Sequence, residues 1–239
     1  MTEALADTVT RTLPETLMIA SPLDALRGVA ATLGAAFVAV PECPLAAGDH
    51  AGPGSVWSHT DALDEWRTET SEGPQTGAIV VAVWPTTNTA APFTTMSPTD
   101  FAVRSEWPFV AWYAALGAAI ERCADGGTIV AVIERPSPLD CAGWAPESGT
   151  ADAVEAMIRS LARSEGPRGV RVNAVTTPSR LAPAQPIAPP PPLSSFPGSV
   201  DHEVSNAVSM LLGSGSAGVT GTVVHADCGR SWRRATASY

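Results

Sequence analysis

Residues 153–175 read AVEAMIRSLARSEGPRGVRVNAV, and two periods meet in them. Val154, Met157, Ile158 and Leu161 recur at the three- and four-residue spacing of one helix face. Gly166-Pro167-Arg168-Gly169 breaks that helix, because proline lacks an N–H and glycine accepts turn backbone. Val170–Val175 follows as a short apolar strand. A helix handed through a tight turn to a buried strand is the repeating joint of a parallel α/β sheet.

The same alternation extends to both sides. Thr16–Ala20, Ala36–Val40, Ala78–Val83, Thr128–Ile133 and Gly221–Ala226 read as further strands. Between them lie helical patterns. One is opened by Ser21-Pro22 with Asp24 as its capping acid, one is a polar helix at 60–70, and one spans His202–Leu212. A long aromatic helix starts at Ser97-Pro98-Thr99-Asp100, runs to about Cys123, and is kinked or divided at Pro108. Gly34 is the expected helix C-cap. Residues 178–198 are proline-rich and read as an extended lid or loop. Six or seven strands alternating with helices predict an α/β doubly wound parallel sheet, with 1–239 as a single domain.

Composition narrows the function. Net charge is −10, which leaves no cationic surface to track phosphates, so nucleic acid is excluded as a partner. No run approaches the length of a membrane span, and no signal peptide is read, so no membrane association is expected. The four cysteines are scattered, as expected of reduced thiols in a cytoplasmic protein. All 14 basic residues are arginine; there is no lysine. That removes every chemistry resting on an amine side chain, including a Tyr–Lys proton relay. His50 and His59 with Cys43 match no metal spacing, so no metal is expected. His225 and Cys228 flank the last strand in a structural turn, and Ser137, Ser148 and Ser205 lack a nucleophile context.

The stretch at 153–175 resembles the second half of the short-chain dehydrogenase/reductases, and so does the tail. Glu203-Val204 opens a helix, Val219-Thr220-Gly221 precedes the last strand, and Val224-His225-Ala226-Asp227-Cys228-Gly229 closes it. The resemblance implies a Rossmann-like sheet, a nicotinamide cofactor and a dimer or tetramer. The family's motifs then fail at their positions. Ser21-Pro22-Leu23-Asp24 stands where a glycine-rich loop would meet the pyrophosphate, with no glycine before Gly28. The expectation is therefore that NAD(P) binding is lost and no cofactor is held. Glu42 stands where a ribose-binding acid would sit, and is read as an acid in a solvated turn.

The family's serine falls on Glu134, and its Tyr-x-x-x-Lys falls on Glu147 and Ala151. Two readings follow. In the first, the chain is a catalytically degenerate member, a pseudoenzyme that serves as a structural subunit beside an active dehydrogenase. In the second, Glu134 and Glu147 form a carboxylate pair and run a cofactor-independent reaction in the former cleft. For the first, the resemblance implies association through helices near 98–123 and 151–164, as a homodimer or a heteromer with an active subunit. Trp107, Phe109, Trp112, Tyr113 and Leu116 are the expected contact surface, with Met157 and Leu161 turned to the sheet and Arg159 and Arg163 on a rim.

Overall fold

A computed structural model describes residues 16–44, 59–86, 89–138, 141–178, 180–181 and 200–227. Its centre is a six-stranded sheet built from β1 (Leu17–Ala20), β2 (Ala36–Ala39), β3 (Thr76–Ala82), β4 (Cys123–Glu134), β5 (Arg171–Thr177) and β6 (Val223–His225). The order is β2-β1-β3-β4-β5-β6 and every pairing is parallel. The middle strands are covered on both faces, which is why β3 and the second half of β4 read as continuous apolar runs rather than alternating ones.

Helices fill the two faces. On one side α1 (Asp24–Leu33) and α6 (Ser205–Leu212) pack over Met18, Val80, Val130 and Val132. On the other, α4 (Trp107–Arg122) and α5 (Ala145–Ser164) pack over Ile19, Ile79, Ile129 and Val172, with α2 (Thr60–Ser71) against α4. A short α3 (Pro98–Phe101) leads into α4 through a π-turn segment, Ala102–Glu106. Winding reverses between β1 and β3, so the carboxyl ends of the strands open on a crevice at that point.

Two sequence signals are explained by hydrogen bonds. Asn173 is fully buried; its side-chain amide donates to Val219 O, and its carbonyl accepts from Thr222 N. This laces β5 to the turn at Gly221, whose φ of 71° suits glycine. Gly34 caps α1 at φ 61°, its N–H reaching Ala30 O and Ala31 O.

Several boundaries differ from the sequence reading. Ser21 does not cap α1: Leu23 holds the cap position with no side-chain bond, and the Ser21 hydroxyl turns instead to the Trp84 backbone. Helix α5 starts at Ala145, six residues before the expected Ala151, because Pro146 fits the first helical turn. Glu147 therefore lies on a helix rather than in a loop. The long aromatic helix is not broken at Pro108, which lies in the first turn of α4; its irregularity is the π-turn segment just before it, and Ser97 is the expected N-cap, with Asp100 completing a capping box. Most of the proline-rich stretch at 178–198 lies outside the described residues, as does His50.

Candidate functional site: two arginine clamps at the mouth of the sheet

Strand β4 ends on Glu134, which is buried at 6% exposure. Arg180 reaches it from the turn after β5. Its Nε donates to Oε1 at 2.7 Å, and Nη2 donates to Oε2 and, at 2.8 Å, to Pro85 O. The guanidinium lies over the Trp84 ring, 5.1 Å from its centroid. Trp84 is itself fixed, its indole N–H donating to Val132 O and its backbone tied to Ser21.

A second cluster repeats this arrangement on the other face. Glu147, 3% exposed in the first turn of α5, accepts from Arg104 Nε at 2.7 Å and Nη2 at 2.9 Å. Arg104 also donates to Gly143 O and lies over Trp144, 5.6 Å from its centroid. The π-turn segment carries Arg104, and its extra residue in the turn lets the side chain face inward from an otherwise apolar helix. Gly143 holds φ 81°, and a Cβ there would come within 3.0 Å of Ala90, so the close approach of the two loops requires glycine.

Each clamp thus joins a forked guanidinium, a buried carboxylate, a backbone carbonyl and an indole face. Burial pushes the Glu134 carboxyl up to about 7; Arg180 pulls against that rise and the charge of Glu147 adds to it. Both expected glutamates therefore face inward, and each is held by its own arginine. The two arginines were not singled out from sequence.

The crevice beside the first clamp is lined by Ser21, Pro22, Glu42, Cys43, Trp84 and Trp107. Glu42 stands at the exit of β2, where the sequence reading put it.

The α4–α5 surface corrects other expectations. Trp107 and Trp112 are core residues, Trp112 at 2% exposure, and Leu116 is buried as well. Phe109 and Tyr113 are the exposed pair, at 37% and 60%. Of α5, Val154, Ile158 and Ala162 are buried in the core, while Met157 and Leu161 are half-buried and pack at its edge. Their outer side joins Tyr113, Leu116, Gly117 and Ile120 around a groove of about 300 Å³.

No protein-family model and no curated protein matches the chain. Solved structures do. A short-chain dehydrogenase/reductase from Serratia marcescens aligns over 91% of this chain and 97% of its own, at 18% identity and TM-score 0.61. A dehydrogenase/reductase from Sinorhizobium meliloti aligns over 91% and 95%, at 22% identity and TM-score 0.59. BdcA in complex with NADPH aligns over 95% and 98%, at 17% identity and TM-score 0.62. The chain has the short-chain dehydrogenase/reductase fold.

For this dehydrogenase/reductase fold the expected absence of a cofactor is corrected. BdcA holds NADPH, and so does a second structure of the same fold, a blue fluorescent protein from a metagenomic library (19% identity, 92% and 98% covered, TM-score 0.58). The fold's crevice is made by parallel strand ends and the start of a helix, which are backbone features, so departures at Ser21–Asp24 alone do not remove it. At that crevice the Ser21 hydroxyl is bonded to the Trp84 backbone.

Proposed function

We propose that this chain is a structural, non-catalytic subunit of a heteromeric short-chain dehydrogenase-type oxidoreductase, docked through α4 and α5. The observation that carries this reading is the pair of clamps. The positions that resemblance gives to the reacting hydroxyls hold Glu134 and Glu147, each gripped by an arginine. Without a lysine, the chain has no Tyr–Lys pair to move a proton to a carbonyl oxygen. Hydride chemistry is assigned to the partner subunit. NADPH is the cofactor class for such an assembly, since two structures of this fold hold it.

The α4–α5 surface supports the docking. Phe109 and Tyr113 stand exposed beside an apolar groove, and Arg159 and Arg163 provide a polar rim. The test is light scattering of the wild type and of Phe109→Glu and Tyr113→Glu, alone and mixed with a short-chain dehydrogenase encoded beside this chain. A mixed complex lost in both variants is the expected result. A homodimer lost in both variants would make a second copy the partner, and a wild-type monomer indifferent to the dehydrogenase would end the reading.

One observation favours a second reading. A carboxyl titrating near 7 with another carboxylate in electrostatic reach suits cofactor-independent acid–base chemistry. That reading requires a turnover whose pH profile bends near 7 and loses the bend in Glu134→Gln.

A further inference from the structure

Helix α4 turns Phe109, Tyr113, Gly117 and Ile120 outward, as a stripe one or two turns apart. Its neighbours close the later part of that stripe into the groove of about 300 Å³, with Met157, Ser160 and Leu161 of α5 on one side and Arg67 of α2 on the other. Gly117 is bare where the groove crosses α4, and the Arg67 guanidinium lies against it; a Cβ there would fall 2.7 Å from the Arg67 Cζ. The same guanidinium faces the Tyr113 ring, 5.8 Å from its centroid, and donates to Glu121 at 2.7 Å. The groove is therefore mainly apolar, and the two charges that line it, Arg67 and Glu121, offset each other.

Across that pair the surface changes character. A depression beside the groove is lined by Asp64, Arg67, Thr68, Ser71, Glu72 and Glu121, which sets three carboxylates against one guanidinium. Asp64 and Glu72 are exposed, and among the described residues neither carboxylate has an ion-pair partner. The sequence points the same way, with five acidic residues and one arginine over 60–72.

We propose that this groove seats a helix of the partner subunit whose apolar stripe is bordered, on the side facing α2, by arginine or lysine. The identity of the partner rests on the subunit reading; the preference for a basic edge goes beyond it. Charge complementarity carries the proposal. A basic side chain beside the stripe meets Asp64 and Glu72 unpaired, and an acidic one in the same place is repelled by both. The net charge of −10 adds attraction at longer range. Among the helices of this face a second copy supplies no such element. In α4 the one base is Arg122, which is buried and donates to Pro74 O. In α2 the charge has the wrong sign. In α5 the bases Arg159 and Arg163 are present, but Met157 and Leu161 are walls of the groove rather than side chains free to enter one.

The test compares two charge swaps of equal size. Asp64→Lys with Glu72→Lys reverses the depression, and Asp61→Lys with Glu65→Lys makes the same change on exposed residues outside its lining. Calorimetry follows binding to the short-chain dehydrogenase encoded beside this chain. The first swap should weaken the complex about tenfold or more at low salt and flatten its salt dependence; the second should change it by about threefold at most. A complex that responds alike to both swaps overturns the proposal and leaves the subunit reading, which has Phe109→Glu and Tyr113→Glu as its own variants, intact. A second readout needs no partner subunit. Two blocked helical peptides share a leucine stripe and differ only in lysine or glutamate along one edge. Each is titrated by NMR into the full chain carrying methyl-labelled methionine, with the Met157 resonance assigned by its loss in Met157→Leu. The lysine peptide should move that resonance at about tenfold lower concentration than the glutamate peptide, and the Asp64 and Glu72 swap should invert the order. Equal responses, or none to either peptide, overturn the proposal. A lysine preference in a chain that binds no dehydrogenase upholds it and ends the subunit reading.

Discussion

Arg104 and Arg180 make the same three kinds of contact, to a carboxylate, a backbone carbonyl and an indole face, and they make them in different surroundings. The first is framed by a π-turn segment and the start of a twenty-residue helix; the second is framed by a turn at the sheet mouth. A guanidinium–carboxylate fork has one chemistry, so what separates the two pairs is how much regular structure and dry packing surround each. Glu134 shows the balance directly. Burial raises its carboxyl even against a bonded arginine, so the charged form of this pair is held only narrowly near neutral pH.

The largest effect tests the Arg104–Glu147 clamp. Arg104→Ala leaves the Glu147 carboxylate enclosed without a partner and should cost about 3–5 kcal/mol in denaturant unfolding. A loss well under that would make the two clamps equivalent. Arg180→Ala should cost less, about 1–3 kcal/mol at pH 8, because Glu134 can take up a proton instead. That cost should shrink below pH 7, where the carboxyl is already protonated.

The pH dependence of the wild type sharpens the contrast. The folded state holds the Glu134 proton up to about 7, and the unfolded chain releases it near 4.5. Stability linked to this group is therefore full below about 4.5, falls as pH rises, and levels off above about 7. Glu134→Gln should remove that slope, with a change of order 1–3 kcal/mol across the window. The smallest effect is the exposed control. Arg67 and Glu121 form the same kind of pair at 2.7 Å, with side chains 29% and 46% exposed. Arg67→Ala should cost at most about 1 kcal/mol, and less in high salt.

The sheet and its order of elements were legible because alternation and continuous apolar runs are local. The Asn173 and Gly221 signals were legible for a related reason: they serve one turn next to one strand. The clamps were not. Arg104 stands 43 residues from Glu147, and Arg180 stands 46 from Glu134, so only the folded sheet brings them together. The glutamates were found by position and the arginines were missed, because an arginine within a helical run usually faces solvent. Trp112 was misplaced for a geometric reason. Neighbouring residues on a helix point about 100° apart, so an aromatic run does not say which member turns inward, and Tyr113 is the one that turns out.

The π-turn segment at Ala102–Glu106 also decides where this chain tolerates a change in length. A π-turn accommodates one residue more than an α-turn does, with the helix on either side left in phase. Removing a residue there relaxes the segment to ordinary helix; Ser97 keeps its cap, α4 keeps its inward tryptophans, and only the aim of Arg104 is lost. The same deletion inside α4 turns everything after it by about 100° and puts Tyr113 where Trp112 packs. Natural length variation in this helix is therefore expected to collect in a window of five residues, and to come and go together with the Arg104–Glu147 pair.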